Sequence, residues 1–394
     1  MLKAKAGSSI NPDAVKAGAE AAIAIKEEVK DLDVAFVYSG VQYDQKALLK
    51  SISDTLPGVP LVGNTSFTGV ITPDGYIAGD EGFVGILGMS GDKLKVGVAG
   101  SAKIGDARST GSKVAKDAIK AAGKEAEEYV QAPDYFYMVA PPGEEEYYLK
   151  GIEDVIGRVP FFGGSAADNA IAGEWVLFTD DMITADGVAV AFFYSKEKVS
   201  FANIYTGAYR ESKNVGIITK MIGDRVLAEI DGEPALKKYA EWRGMSVDDL
   251  KGMDLLVASI CAPLGVKDRM GELTAIRHPM GGNDDLTINV GNKLSENTAV
   301  IQMEGSVDEL IASAGETVDL LIKKLGKKPA ALHLVHCGGR RAGIDARIDE
   351  VHASIKAAAG DIPFIVEFTF GEYGYFDDGN NTCGGLMLSF TAFA

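Results

Sequence analysis

Short apolar runs alternate with amphipathic stretches along most of the chain, the pattern of strands and helices in an α/β protein. Residues 12–30 read as a helix with Asn11 at its N-cap, Pro12 in its first turn and Ile23, Ile25 and Val29 on its apolar side. Residues 33–40 read as a buried strand, and 44–56 as a helix with Leu48, Leu49, Ile52 and Leu56 on one side. Val59-Pro60-Leu61-Val62-Gly63 starts the next strand and Asn64-Thr65-Ser66 closes it. A turn at Pro73-Asp74-Gly75, strands at 82–87 and 94–99 and a helix at 109–122 follow. The order then recurs as strand 134–140, helix 144–156, strand 159–165 and strand 186–193. Pro60 and Pro160 stand 100 residues apart at matching points, which marks an internal duplication.

A looser third copy runs from Pro329 to Gly374. Its strand, 330–336, breaks at Cys337-Gly338-Gly339-Arg340-Arg341, which reads as a binding loop. A helix over 345–359 and an apolar run at 362–366 complete the unit. Where the first two copies carry Gly and a hydroxyl residue, this one reads Phe368-Thr369-Phe370-Gly371-Glu372. A degraded fourth copy is expected to begin with a strand at 254–261. Between the halves, 216–220 and 225–230 read as paired strands and Asp231-Gly232 as a turn. A helix from Pro234 to about Trp242 comes next. Residues 272–305 alternate strand-like runs with Gly and Asn, and 306–324 is a helix. The expected fold is α/β, with repeated strand-helix-strand units forming mixed sheets in two lobes, residues 1–210 and 211–394.

Composition narrows the function classes. A length of 394 residues favours two or three domains with large cores. A net charge of -17 argues against a nucleic-acid or anionic-membrane surface, since both need basic patches. No apolar run reaches the roughly 18 residues that span a bilayer, and the N-terminus lacks a signal-peptide core. Cys261, Cys337 and Cys383 are odd in number and far apart, as free thiols of a reducing cytoplasm would be. A cytoplasmic location is expected.

Familiar catalytic signatures are absent. The chain has no Gly-Lys-Ser/Thr phosphate loop, no dinucleotide fingerprint at Gly163-Gly164-Ser165 and no serine elbow. His333, His336, Cys337 and His352 are the one cluster of metal-ligand types. On a strand, 333 and 337 share a face while 336 points the other way, so no metal site is expected. A single axial histidine on haem needs no cluster, which leaves His278, His333, His336 and His352 open to that role. Cys337 reads either as a nucleophile activated by Arg340 and Arg341 or as a small buried residue at a strand end. No histidine base with a positioning acid accompanies it, which favours a binding module over an enzyme. Arg340, behind two glycines at a strand end, offers a fixed fork of donors for a carboxylate or phosphate.

The motifs that remain resemble one family. Val59 to Thr65 and Val159 to Asp168 resemble the N-terminal half of the FIST domain. Asp231-Gly232-Glu233-Pro234-Ala235 with Tyr239, Ala275-Ile276-Arg277, Cys337-Gly338-Gly339-Arg340 and Gly371-Glu372 resemble its C-terminal half. The family's terminal N-x-T reads Asn381-Thr382-Cys383 here, and its T-x-G-E-I reads Thr65 to Ile71 without the acid. The resemblance implies a sensory module for a small ligand, an amino acid or similar metabolite, that signals through a separate partner protein. No resident cofactor is expected, although some relatives are described as haem-binding nitric oxide sensors, which makes haem the alternative. Carried onto this chain, Arg340 and Arg277 would take a carboxylate and Glu372 an amine. Gly63, Gly163, Gly338 and Gly339 would leave room, while Cys337, Thr65 and Ser165 would line the site.

Overall fold

The computed structural model of the protein describes residues 2–92, 94–124, 132–195, 200–267, 273–377 and 380–394. A first repeat comprises β1 (Leu2–Ser9), α1 (Ala14–Lys26), β2 (Val34–Ser39), α2 (Gln45–Thr55), β3 (Leu61–Thr65), β4 (Val70–Thr72), β5 (Gly75–Ile77) and β6 (Val84–Gly91). A second has the same order: β7 (Leu94–Ala102), α3 (Ala107–Ala121), β8 (Tyr135–Ala140), α4 (Glu145–Ile156), β9 (Phe161–Ser165), β10 (Leu177–Thr179), β11 (Ile183–Thr184) and β12 (Gly187–Ser195). β13 (Phe201–Thr206) opens a third repeat, and the chain then departs into an insert. The insert holds β14 (Arg210–Ile222), β15 (Val226–Ile230), β16 (Glu233–Pro234), α5 (Ala235–Arg243), α6 (Asp254–Ser259), β17 (Leu264–Lys267), β18 (Thr274–Arg277), β19 (Pro279–Gly282), β20 (Ile288–Val290) and β21 (Ala299–Glu304). The third repeat resumes with α7 (Val307–Leu325), β22 (Ala331–Cys337), α8 (Gly338–Ile344), α9 (Ile348–Ala359), β23 (Phe364–Thr369), β24 (Glu372–Tyr375), β25 (Asn381–Gly384) and β26 (Leu388–Phe393).

Each repeat is built on one parallel pair: β2–β3, β8–β9 and β22–β23. These strands are buried on both faces, which is why they read as mainly apolar runs, broken by a few buried polar residues such as Asn64, His333 and Glu367. A long antiparallel strand flanks each pair, β6, β12 and β26 in turn. The hairpin after each pair leaves its own repeat. β4–β5 joins β23 of the third repeat, β10–β11 joins β3 of the first, and β24–β25 joins β9 of the second. The three six-stranded sheets are thereby linked in a closed ring. Three equivalent backbone hydrogen bonds follow the same circuit. Phe67 donates to the Phe368 carbonyl (2.9 Å), Ala167 to that of Thr65 (2.9 Å) and Phe370 to that of Ser165 (3.1 Å).

Strand register aligns Phe36, Tyr137 and His333 as counterparts. Their rings meet at the centre, with centroids 5.2, 4.8 and 5.5 Å apart. A buried polar chain runs beside them. The Tyr38 hydroxyl contacts His333 Nε2 and donates to the Tyr137 hydroxyl (3.3 Å), and Tyr137 donates to Asn64 Oδ1 (3.0 Å). Asn64 then donates to Glu367 Oε2 (3.2 Å). Glu367 Oε1 and His333 Nδ1 accept no hydrogen bond among the described residues, and Glu367 Oε1 lies 3.7 Å from His333 Nε2.

The α/β class with repeated units and mixed sheets holds. Four local expectations do not. Residues 254–261 form α6 and a turn, not a fourth strand; Leu255, Leu256 and Ser259 bury one side, and an apolar run this short does not separate the two periods. The expected binding loop at Cys337 is the start of α8, and the next α-helix begins at Ile348 rather than Asp345. Asp13, not Asn11, caps α1, accepting from Val15 and Lys16.

A cavity where the repeats and the insert meet

At the carboxyl ends of the parallel strands, loops from all three repeats and the insert enclose a cavity of about 120 Å³. Phe67 comes from the first repeat, Pro142, Ile171 and Trp175 from the second, and Cys337, Gly338, Gly339, Ala342 and Phe370 from the third. The insert adds Leu256, His278, Met280, Gly291 and Asn292. Crevices outside strand carboxyl ends are where open α/β sheets bind ligands.

Local hydrogen bonds aim these loops. The buried Asp168 carboxylate accepts from Ala170, Ala172 and Glu174 at 2.9–3.1 Å, folding the loop that presents Ile171 and Trp175. Thr65 holds the far end of that loop. Its amide donates to the Val176 carbonyl (2.9 Å) and its hydroxyl accepts from Val176 N (3.0 Å). Ser165 performs the equivalent task one repeat on, with its hydroxyl 2.7 Å from that of Tyr373 and its amide 2.7 Å from the Gly371 carbonyl. Thr65 and Ser165 therefore position the walls without lining them.

The insert contributes two acceptors. His278 Nε2 lies 3.0 Å from the Leu256 carbonyl, which can only accept, so Nε2 carries the proton and Nδ1 a lone pair. Burial pushes this imidazole down to about 4, keeping it neutral. Asn292 is 1% exposed; its amide nitrogen donates to Glu145 (3.0 Å), and its Oδ1 has no partner. Glu145 also pairs with Arg225 at 3.2 Å, and Arg225 reaches Glu146, Gly143 and Gly291. This clamp fastens the insert to the start of α4.

The expected ligand residues separate into groups. Cys337, Gly338 and Gly339 reach the cavity. Cys337 is 4% exposed, and its Sγ accepts from Gly339 and Leu386, both at 3.2 Å. Burial pushes this thiol well above the usual thiol range, which holds it protonated rather than nucleophilic. Glu372 is buried behind Cys337, accepting from Thr369 and Met387 N at 2.9 Å. Arg340 is fully buried and lines no cavity described here. It donates to the Gly207 carbonyl (2.7 Å), the Leu310 carbonyl (3.1 Å) and the Ser313 hydroxyl (2.6 Å), tying α8 to the insert and α7. Arg277 opens instead on a separate cleft. Gly63 and Gly163 face backbone: a Cβ there would meet the Val37 carbonyl at 1.8 Å and the Met138 carbonyl at 1.9 Å. They serve close strand packing.

His333 and His336 are fully buried and His352 lies near the surface, so His278 is the histidine that reaches the cavity. Two larger cavities, of about 580 and 460 Å³, are lined by no histidine. The signal for His278 and Asn292 lay in the Gly- and Asn-rich strand region, where His278 follows Arg277 and Asn292 follows Gly291.

The buried ionisable groups predict an unusual pH profile. Burial lifts Glu367 and Glu372 from the ordinary 4.5 to about 8, so between those values the folded state holds protons that the unfolded chain has released. Their contribution is present at low pH and lost as pH climbs towards 8. Burial lowers His278 to about 4 and His333 and His336 to about 3 from 6.5, so the unfolded chain binds the extra protons there and stability is lost on acidification. Thermal unfolding measured across pH should show its maximum between about 4.5 and 6.5, with the melting temperature falling from 6.5 to 8. A melting temperature that rises through that upper range contradicts these protonation states.

The family profile described as the FIST N domain matches residues 33–233, and that described as the FIST C domain matches residues 235–375. No curated protein matches the chain. Among solved structures, a cyanuric acid hydrolase from A. caulinodans is 11% identical, with a TM-score of 0.39, covering 100% of this chain and 99% of that one. A second cyanuric acid hydrolase structure is 10% identical at a TM-score of 0.37, covering 100% of both chains. Phosphoribosylformylglycinamidine synthase II from Thermotoga maritima is 11% identical at 0.24, covering 100% of this chain and 72% of that one.

Proposed function

The chain belongs to the FIST family of sensory, signal-transduction domains, and from that premise we propose that it senses one small ligand bound in the cavity between the repeats and the insert. The unpartnered Oδ1 of Asn292, buried at that cavity, carries this reading. A buried acceptor without a donor costs about 1–3 kcal/mol, which a bound N–H group would recover. His278 Nδ1 is a second acceptor, and Phe67, Trp175 and Phe370 supply apolar walls. No lysine or arginine is among the lining residues. The ligand best suited is a compact molecule of amino-acid size that presents an amine or amide and an apolar body. A free carboxylate would find no cation there, which weighs against the arginine-bound carboxylate that the motifs lead one to expect.

Ligand occupancy would be felt beyond the cavity, because the same Asn292 side chain is bonded to the Glu145–Arg225 clamp. A partner protein reading the position of the insert would complete the signal. No described helix is long and apolar enough to cross a membrane.

A thermal-shift and calorimetric screen of amino acids, their amides, simple amines and organic acids tests the reading. Hits should come from N–H donors and weaken about tenfold or more in Asn292→Leu, the cost of one buried hydrogen bond. Hits confined to organic acids, or hits that Asn292→Leu leaves unchanged, overturn it.

A further inference from the structure

The larger cleft that Arg277 faces, about 460 Å³, lies between α4, the insert and the β24–β25 hairpin. Four cations line it, Lys150, Arg158, Arg277 and Lys293, against two acids, Glu146 and Glu153. Glu146 is already engaged by Arg225 and by the Lys293 amide. In a chain of net charge -17, such a gathering of positive side chains runs against the overall field.

Arg277 is the deepest of the four, at 9% exposure. Its Nε donates to the Lys293 carbonyl (3.1 Å), and its Nη1 to the carbonyls of Ile276 (3.0 Å) and Cys383 (3.2 Å). Those bonds fix the guanidinium plane. Among the described residues its Nη2 has no acceptor, and no carboxylate lies within ion-pair distance of it. Glu146 attracts this guanidinium only from beyond ion-pair distance, and Arg225 repels it, so its desolvation is incompletely repaid. Lys150 is exposed on α4, where its charge acts on Glu153 and Asp154 without closing an ion pair among the described residues.

We propose that this cleft is a second binding site, for a small multiply charged oxyanion, a carboxylate or phosphate, seated on the free edge of Arg277. Lys293 and Lys150 supply further charge from the insert and from α4, and Arg158 from the loop after α4. An anion held between α4 and the insert draws together the two bodies that the Glu145–Arg225 clamp joins. The site does not depend on the central cavity's ligand, since the two linings share no residue.

Calorimetry with citrate, succinate and inorganic phosphate at constant ionic strength, using sodium chloride as the control anion, tests it. At least one oxyanion should bind saturably, and the choice among the three tells carboxylate from phosphate. The Lys150→Ala/Lys293→Ala double variant, checked for a parent-like melt because Lys293 also contacts Tyr147 and Asp224, should lose about tenfold or more in affinity. Arg277→Lys should also weaken binding, because an ammonium does not reproduce the held fork. No saturable binding by any of the three, a response matched by chloride, or full affinity in the double variant overturns the proposal. Binding of amines or amides in the central cavity is a separate measurement, so failure of one reading is distinguishable from failure of the other.

Discussion

Arg340→Ala should lower the stability of the folded protein by about 2–5 kcal/mol, from the void left by a large buried side chain and the acceptors it leaves without donors. The side chain is among the largest that are fully buried, and its donors satisfy Gly207, Leu310 and Ser313. Alanine would leave those acceptors unpaired in a dry site and open a void beside Tyr209, whose ring lies 5.8 Å from the guanidinium. Denaturant unfolding, read at one pH, measures the change. Arg340→Met would refill part of the void yet leave the Gly207 and Leu310 carbonyls unsatisfied, so it should fall between the two. A ligand-binding arginine predicts the opposite: near-normal stability and loss of binding alone. An Arg340→Ala protein that unfolds like the parent would remove Arg340 from the framework.

Gly163→Ala should be at least as damaging, with a loss above about 3 kcal/mol or no soluble folded protein. Gly163 has a φ of +135°, which L side chains rarely adopt. A Cβ would stand 1.9 Å from the Met138 carbonyl, an atom of the neighbouring strand that cannot move without breaking the ladder. Gly63 meets the Val37 carbonyl in the same way in the first repeat. The third repeat has Val366 at the matching register position, so that copy has the space the other two lack. Soluble yield and a circular-dichroism melt decide the point, and a Gly163→Ala protein that melts with the parent refutes the packing role.

The parallel pairs were legible in the sequence because strands buried on both faces are mainly apolar, as in 34–39, 135–140 and 331–337. The three-fold repetition was legible for the same reason. The exchange of hairpins was not. β4 and β10 are three residues long, and their partners lie in other repeats. Such pairing leaves no local periodic trace. α6 failed because six residues do not separate a helix period from a strand period. Cys337, Gly338 and Gly339 could be placed near a cavity from a strand end and small residues. Arg340 could not, because a guanidinium has five donors that carbonyls satisfy as readily as a ligand does. Asn292 and His278 became meaningful only once the insert was seen folded over the ends of the repeats.

The closed ring also constrains how the chain is made. During synthesis the first two repeats emerge well before residue 364, yet the β4–β5 hairpin finds its partner only in β23. Until then β4 presents an open edge, and β9 waits for β24. The nascent chain must therefore carry two unmatched sheet edges through most of translation, the condition under which strands pair wrongly with neighbouring chains. A ribosome pause or a holding chaperone acting before the last thirty or so residues emerge would protect it, and a chain truncated before β23 would aggregate rather than fold as a smaller sensor.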